Sequence, residues 1–302
     1  MSIATDDLDE VKAKREFELP PGEDRPPATL PVTILERKPG WRVIDLGELW
    51  RYRELLYFLT LRDIKVRYKQ TILGAAWAIL QPLATMLVFS LFFGKVAGNP
   101  SSNVPYSLFV LAGLVPWMFF SNAIAQAGQS VVGNQNLVTK IYFPRLMIPM
   151  GAVAAGLVDL AISFAMLVVM MLWFGIAPGW SIALVPFFTF GLVIAALGVG
   201  TLLSALTVAY RDFRYAVPFL VQFWMFATPC IYLQSDSQIS ARLSYLLPLN
   251  PAYGLIANLR QAMLGGPIDG YSLAVSTTVS VLLLLVGCLY FRRVESDFAD
   301  II

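Results

Sequence analysis

The chain has 302 residues, of which 57% are hydrophobic and only 14% are charged, whereas about 25% of the residues in an ordinary soluble protein are charged. Residues 72–291 contain only 11 charged side chains, so the composition argues against a soluble domain and for a membrane domain behind a charged N-terminal region. The net charge is +2 and acids and bases are evenly mixed, which gives no reason to expect a nucleic-acid partner. The sequence has no histidine, and therefore lacks the commonest metal ligand and general base.

The N-terminal region divides into two parts. Residues 1–40 are charged and rich in proline, and we expect a flexible cytoplasmic tail. Residues 41–71 interleave aromatic and aliphatic side chains with basic ones, which predicts an amphipathic helix at the membrane–water interface. The basic residues near its end are Arg62, Lys65, Arg67 and Lys69.

Six apolar segments follow, each close to the roughly 20 residues that a helix needs to cross a bilayer. They lie at residues 72–94, 106–130, 149–175, 181–209, 215–234 and 271–291. Lysine and arginine are concentrated in the N-terminal region, in alternate connections and in the C-terminal tail at 292–302, which predicts that both termini are cytoplasmic. The predicted fold is an all-α integral membrane protein with six transmembrane helices.

The stretch at residues 236–265 is too apolar for an exposed loop, and Pro248 and Pro251 divide it into two short pieces. Neither piece is long enough to cross the membrane. A pair of short helices can enter one leaflet and return where protein covers the break. We therefore expect a re-entrant helix pair at the outer face, immediately before the last span.

The connection at residues 131–148 begins with polar residues around Asn134 and reaches Pro144, which predicts a short helix near 134–145 that ends before the proline. Two interpretations are open. The helix could cap the bundle, or its apolar side chains could enter a groove on a soluble partner. Those side chains are Leu137, Ile141, Tyr142 and Phe143.

The predicted spans contain no carboxylate pair, no Cys/His cluster and no phosphate-binding glycine loop, so we predict no catalytic residue and no metal site. Asp159 lies inside the third span, where a charge is costly, and is either functional or hydrogen-bonded to a neighbouring helix. The aromatic residues of the spans either face lipid and the interfaces or line a passage on which sugar rings stack.

Four stretches form recognisable motifs. They are LRDIKVRYKQTILGAAWAILQP at residues 61–82, Leu111–Trp117, Asn136–Pro149 and the pair Asn250-Pro251. Together they resemble the permeases of bacterial polysaccharide-export ABC transporters, the Wzm-like O-antigen exporters, over nearly the whole chain after residue 40. Teichoic-acid and capsule export permeases are similar.

The resemblance implies a homodimer that binds two copies of a cytoplasmic ATPase, and ATP and Mg bound by that partner rather than by this chain. The chain lacks a Walker A motif, so we expect a permease subunit that is not itself an enzyme and has no cofactor. The segment at 41–71 becomes a gate helix. Its four basic residues either attract the lipid pyrophosphate at the cytoplasmic boundary or only reflect the positive-inside topology of the chain. The segment at 134–145 becomes a coupling helix that the ATPase receives. The residues expected to take part in this contact are Asn134, Leu137, Lys140, Ile141, Tyr142, Phe143 and Arg145. The first and fifth spans border the pathway with Trp77, Phe89, Phe223, Trp224 and Phe226.

The function expected from this resemblance is export of an undecaprenyl-pyrophosphate-linked polysaccharide, O-antigen in the first place, across the bacterial inner membrane. A teichoic-acid or capsule exporter is the alternative within the family. An ion-coupled transporter working alone would need several ionisable groups within the membrane, and Asp159 is one candidate. A membrane enzyme such as a glycan ligase would need an acid/base constellation that the sequence does not offer.

Overall fold

The structure is a computed structural model that describes residues 46–69, 74–97, 104–177, 179–230, 245–295 and 298. The predicted flexible tail at 1–40 lies outside these ranges. Within them, the regular structure consists of α-helices and short 3₁₀ turns, with no β-strand. The prediction of an all-α protein is confirmed for this part of the chain.

The α-helices of the described residues are numbered in chain order. They are α1 Leu46–Arg51, α2 Arg53–Lys69, α3 Trp77–Ala97, α4 Tyr106–Gly133, α5 Gln135–Lys140, α6 Met147–Trp173, α7 Val185–Ala209, α8 Phe213–Phe226, α9 Tyr253–Leu264 and α10 Gly270–Val294. The 3₁₀ turns are Gly74–Ala76, Trp180–Leu184 and Leu247–Leu249.

Five helices of the described residues are long and apolar enough to cross a membrane: α3, α4, α6, α7 with its preceding turn, and α10. They match five of the six predicted spans. The remaining segment, 215–234, overlaps α8, which has 14 residues and a length of about 21 Å. Residues 231–244 lie outside the described residues, so the fifth predicted span and the re-entrant pair stay predictions.

Helix α4 is the centre of the bundle. In its apolar stretch 78% of the residues are buried, compared with 6% in α3. It packs against α3, α6, α7 and α8, and α7 in turn packs against α10. The main core forms where these helices meet, around side chains such as Phe120, Ile124 and Leu192.

Helix α2 lies along α6, with Leu59 buried opposite Gly151. The expected division into one apolar and one charged face is not observed, because Tyr57, Phe58 and Val66 are all exposed. Apolar and charged residues are mixed around the helix. One side of the helix contacts α6, and the other sides face outward. A helix is therefore present in this segment without two simple faces, and its position at the membrane interface stays a prediction.

Helices α7 and α10 approach each other closely at two glycines. A Cβ atom on Gly198 would lie 2.6 Å from the backbone nitrogen of Leu284, and one on Gly287 would lie 2.6 Å from the carbonyl oxygen of Gly198. Small residues permit this approach, which stabilises helix pairs in lipid where the hydrophobic effect between helices is absent.

Replacing Gly287 with leucine is expected to force α7 and α10 apart and to lower the free energy of unfolding by about 1–3 kcal/mol, the usual cost of overpacking. Thermal unfolding of the purified protein in detergent measures the effect. Gly133→Ala is the control, because a Cβ there has no neighbour within 4 Å. A Gly287→Leu variant as stable as the wild type would contradict the close contact.

Candidate functional site

The segment predicted to couple to a partner contains a shorter helix than expected. Helix α5 covers only Gln135–Lys140, and Ile141 is already extended, with φ −129° and ψ 133°. Pro144 disfavours the helical conformation of Phe143, the residue that precedes it, and so opposes continuation of the helix through this position. Beyond α5 the predicted 134–145 has no further helix: residues 141–144 are irregular, and a turn at 145–146 leads into α6.

A second hydrophobic cluster lies beneath this segment. Its buried members are Val131, Val138, Phe143, Leu146, Ile148, Ala205, Val208, Cys288, Phe291 and Phe298. Phe298 meets Phe291 edge-on, with ring centroids 5.1 Å apart. The predicted C-terminal tail at 292–302 thus contributes a side chain to the core, a role that its charged composition did not indicate.

Arg145 joins the segment to the end of α10. Its backbone N–H donates to Glu295 Oε1 at 3.1 Å, and its guanidinium donates to the Glu295 carbonyl oxygen. The same guanidinium lies 3.5 Å from the carbonyl oxygen of Val138 at the end of α5. Arg145 therefore holds elements of this chain together.

The other predicted coupling residues divide between the surface and the interior. Asn134 donates its side-chain N–H to the Ser130 carbonyl oxygen at 2.7 Å, and Leu137 packs against the second cluster. Phe143 is only 5% exposed, whereas Ile141 and Tyr142 are 56% and 69% exposed. Lys140 is exposed as well, and Ile141 and Tyr142 are the exposed large apolar side chains of the segment.

The basic residues of α2 do not form a single cluster. The Arg67 guanidinium forms an ion pair with Asp159 and donates to the Gln126 side-chain oxygen, and the Tyr68 hydroxyl donates to Asp159. The Arg67 and Asp159 side chains are 25% and 27% exposed. Of the two interpretations of Asp159, the structure displays the bond to a neighbouring helix, from α6 to α2.

The remaining three basic residues lie on another side of α2. At 100° per residue, Arg62, Lys65 and Lys69 fall within one sector, and Arg67 lies on the opposite side. Arg62 is paired with Asp63 at 2.7 Å. Lys65 and Lys69 are exposed and have no carboxylate partner among the described residues.

The aromatic residues predicted to line a pathway also separate. The Trp224 indole N–H donates to Asn250 Oδ1 at 2.9 Å, and its ring meets Phe120 edge-on with centroids 5.3 Å apart. Phe223 and Phe226 are exposed on the outer side of α8. Phe219 extends the same face, with its ring centroid 4.7 Å from that of Phe223. Sequence reasoning missed Phe219, although its i, i+4, i+7 spacing with the other two was a usable signal.

The two predicted pathway residues of α3 differ from each other in the same way. Trp77 is 55% exposed at the start of the helix, whereas Phe89 packs against the main core. Helix α3 packs on α4 and α6, while α8 packs on α4 and α7. The predicted pathway residues therefore lie on two helices that both contact α4 and differ in their other neighbour, which is α6 for α3 and α7 for α8.

The end of α8 is held in place by two polar side chains, the half-buried Asn250 and the buried Arg260. The Asn250 side chain accepts from Trp224 and donates to the Thr228 hydroxyl at 2.9 Å. The Arg260 guanidinium donates to the Pro229 carbonyl oxygen at 2.6 Å and lies over the Phe109 ring, 4.0 Å from its centroid. Arg260 belongs to α9, which is buried along most of its length. Nothing in the sequence pattern pointed to this role for Arg260.

Long apolar helices around a buried central one, with polar side chains gathered in a few clusters between them, define a multi-pass membrane protein. The sequence profile described as "ABC-2 type transporter" matches residues 54–263. The chain belongs to this family, whose members are membrane-spanning transporter subunits that are not catalytic by themselves and normally pair with a separate ATPase subunit.

Several relatives have names that state a transported glycan. The chain is 31% identical over 254 residues to "O-antigen export system permease protein RfbA" of Myxococcus xanthus, covering 84% of this chain and 97% of the relative. It is 27% identical over 259 residues to a protein of the same name from Klebsiella pneumoniae, with 85% and 97% covered. It is also 27% identical over 251 residues to "Polysialic acid transport protein KpsM" of Escherichia coli, with 78% and 92% covered.

Proposed function

We propose that this protein is the membrane subunit of an inner-membrane ABC exporter that moves a lipid-linked polysaccharide, O-antigen in the first place, outward across the membrane. The observation that carries this proposal is the similarity to the O-antigen export permease of Myxococcus xanthus, which extends over 97% of that relative. The motifs of residues 61–82 and Asn136–Pro149 point to the same class. The substrate is an undecaprenyl-pyrophosphate-linked glycan.

In this proposal the chain forms a homodimer and binds two copies of a cytoplasmic ATPase, which holds ATP and Mg. Both termini are cytoplasmic, and six spans are present in each protomer. The exposed Ile141 and Tyr142 contact the ATPase. The exposed face of α8, with Phe223 and Phe226, and the largely unburied α3 border the passage between protomers.

Reconstitution into proteoliposomes tests the proposal. The chain together with its ATPase should move an undecaprenyl-pyrophosphate-linked glycan across the bilayer in the presence of ATP and Mg, and neither the chain alone nor a complex with an inactivated Walker A lysine should do so. Transport by the chain alone in an ion gradient would overturn it in favour of an ion-coupled transporter. The pairing of Asp159 with Arg67 argues against a free proton-relay group at that position.

Export of capsular polysaccharide is the second candidate, and the similarity to the polysialic acid transport protein of Escherichia coli favours it. Deletion of the gene separates the two. Loss of the O-antigen ladder from surface lipopolysaccharide with an unchanged capsule supports the first candidate, and the reverse result supports the second.

The double variant Lys65→Gln/Lys69→Gln is expected to weaken binding of the anionic lipid. Each lysine near an anionic headgroup contributes about 1 kcal/mol, so the concentration of lipid that half-stimulates ATP hydrolysis should rise about thirtyfold. The measurement is lipid-stimulated ATPase activity of the reconstituted complex. Arg51→Gln, which removes a positive charge from α1, is the control, and an unchanged lipid dependence in the double variant would exclude these lysines from the headgroup site.

A further inference from the structure

A cavity of about 370 Å³ lies between α2, α3, α4 and α6. This volume falls within the range of about 300–1,000 Å³ that is usual for small-ligand sites. Arg67 and Tyr68 of α2 and Gly74 of the following turn form part of its wall, and the rest comes from the three membrane helices.

The cavity wall has a regular pattern, in which the Ser163 hydroxyl donates a structural hydrogen bond to the Ala78 carbonyl oxygen at 2.9 Å. Among other lining residues, each of the three membrane helices contributes one pair of polar or aromatic side chains spaced four residues apart. The pairs are Trp77 and Gln81 from α3, Asn122 and Gln126 from α4, and Asp159 and Ser163 from α6. Because residues i and i+4 lie on the same side of a helix, each helix turns one polar or aromatic face toward the same space.

Such residues are rare in two of these helices. Gln81 is the only amide or carboxylate side chain of α3, and Asp159 is the only one of α6. A polar group in the membrane is costly unless it finds a partner, and is by default a candidate for function. Both of these residues line the same cavity.

Two of the amides retain their hydrogen-bonding capacity. The side chains of Gln81 and Asn122 make no hydrogen bond to the described residues, and each offers two donors and one acceptor. Nearby, Gln126 and Asp159 are bound to Arg67. The cavity therefore combines free amides with a neutralised ion pair.

The chemistry of the wall selects the ligand. A phosphate would lie close to the Asp159 carboxylate and be repelled, because the positive charge of Arg67 is already paired. A lipid chain would leave the amides without partners, which is unfavourable. A neutral molecule with many hydroxyl groups can bond to the amides, and the half-exposed ring of Trp77 offers a flat apolar surface to its C–H faces.

We propose that this cavity binds a neutral sugar unit of the transported glycan. The inference rests on the proposed function, and assigns to each chain a sugar site apart from Lys65 and Lys69. A glycan whose diphosphate lies at those lysines has to pass around α2 to reach the cavity, so the bound unit is a few sugars away from the lipid.

Two probes applied to the intact complex with its ATPase in lipid nanodiscs test this site. One is undecaprenyl diphosphate, and the other is the same lipid carrying a neutral trisaccharide of glucose. The wild type should bind the glycosylated lipid about tenfold more tightly, equivalent to one or two hydrogen bonds. Asn122→Leu and Gln81→Leu should each remove most of this difference and leave the affinity for the bare lipid unchanged.

Gln129→Leu is the matched control, since it replaces an exposed amide of α4 that does not line the cavity, and it should keep the tenfold difference. The unfolding temperature of each variant verifies its fold, and the two test variants lie on different helices. The sugar site alone would be overturned if the wild type bound both lipids with equal affinity. It would also be overturned if the variants lost affinity for the two lipids to the same extent. If an intact wild-type complex bound neither lipid, the proposed function would fail and the site with it.

Discussion

The double variant Ile141→Ser/Tyr142→Ser is expected to lose most of its affinity for the ATPase subunit while remaining folded. Both side chains are more than half exposed, at 56% and 69%, so their removal costs the isolated chain little. An exposed aromatic that becomes buried in an interface commonly contributes about 2 kcal/mol or more to binding, which corresponds to a dissociation constant at least about thirtyfold larger. Co-purification and titration of the ATPase into the solubilised chain measure the change.

Trp173→Ser provides the matched control. Trp173 is an exposed aromatic at the far end of α6, so its replacement should leave ATPase binding unaltered. If residues 134–145 serve only to cap the bundle, the Ile141→Ser/Tyr142→Ser variant will bind the ATPase normally. In both cases Phe143→Ala should lower the free energy of unfolding by about 3 kcal/mol, because it opens a cavity in the cluster beneath the segment.

The single variant Asp159→Leu is expected to destabilise the protein by about 2–3 kcal/mol. Removing one partner of a buried ion pair costs about 3–5 kcal/mol, and the partial exposure of Arg67 and Asp159 places this pair at or below the lower end. The unpaired charge of Arg67 is the main cause of the loss. Thermal or denaturant unfolding in detergent measures it.

The double variant Arg67→Met/Asp159→Leu isolates the interaction. Replacing both partners with apolar residues removes the unpaired charge, so the double variant should recover part of the stability that Asp159→Leu loses. The single variants Arg67→Met and Asp159→Leu complete the comparison. If their losses of stability simply added in the double variant, the ion pair would contribute no coupling energy. The attachment of α2 to α6 would then have to rest on Leu59 and its packing.

The apolar spans were predictable because about 20 consecutive apolar residues have few other uses in a protein. The helix over 41–71 was predictable in position but not in detail. Its basic residues were treated as one group, whereas the turn of the helix sends Arg67 to the side opposite Lys65. The partner of Arg67 is 92 residues away in sequence, and no local pattern identifies a contact of that range.

The predicted functional residues show a similar limit. The sequence predicted a short helix near 134–145, and one is present at Gln135–Lys140. It could not distinguish the buried Phe143 from the exposed Tyr142, since the direction of adjacent side chains depends on the backbone. Trp224 was grouped with Phe223 for the same reason, although its indole bonds to Asn250. Burial of Phe298 depends on the closure of a cluster drawn from five parts of the chain.

The attachment of Arg145 to Glu295 has a mechanical consequence. Helices α4 and α6 continue directly into the segment that carries Tyr142, and α10 is tied to it through Glu295 and Phe298. The glycine contact then links α10 to α7. A force applied at Tyr142 would therefore displace α4, α6, α7 and α10 together. Helix α3, with its small buried share, would be the helix relative to which these four could move.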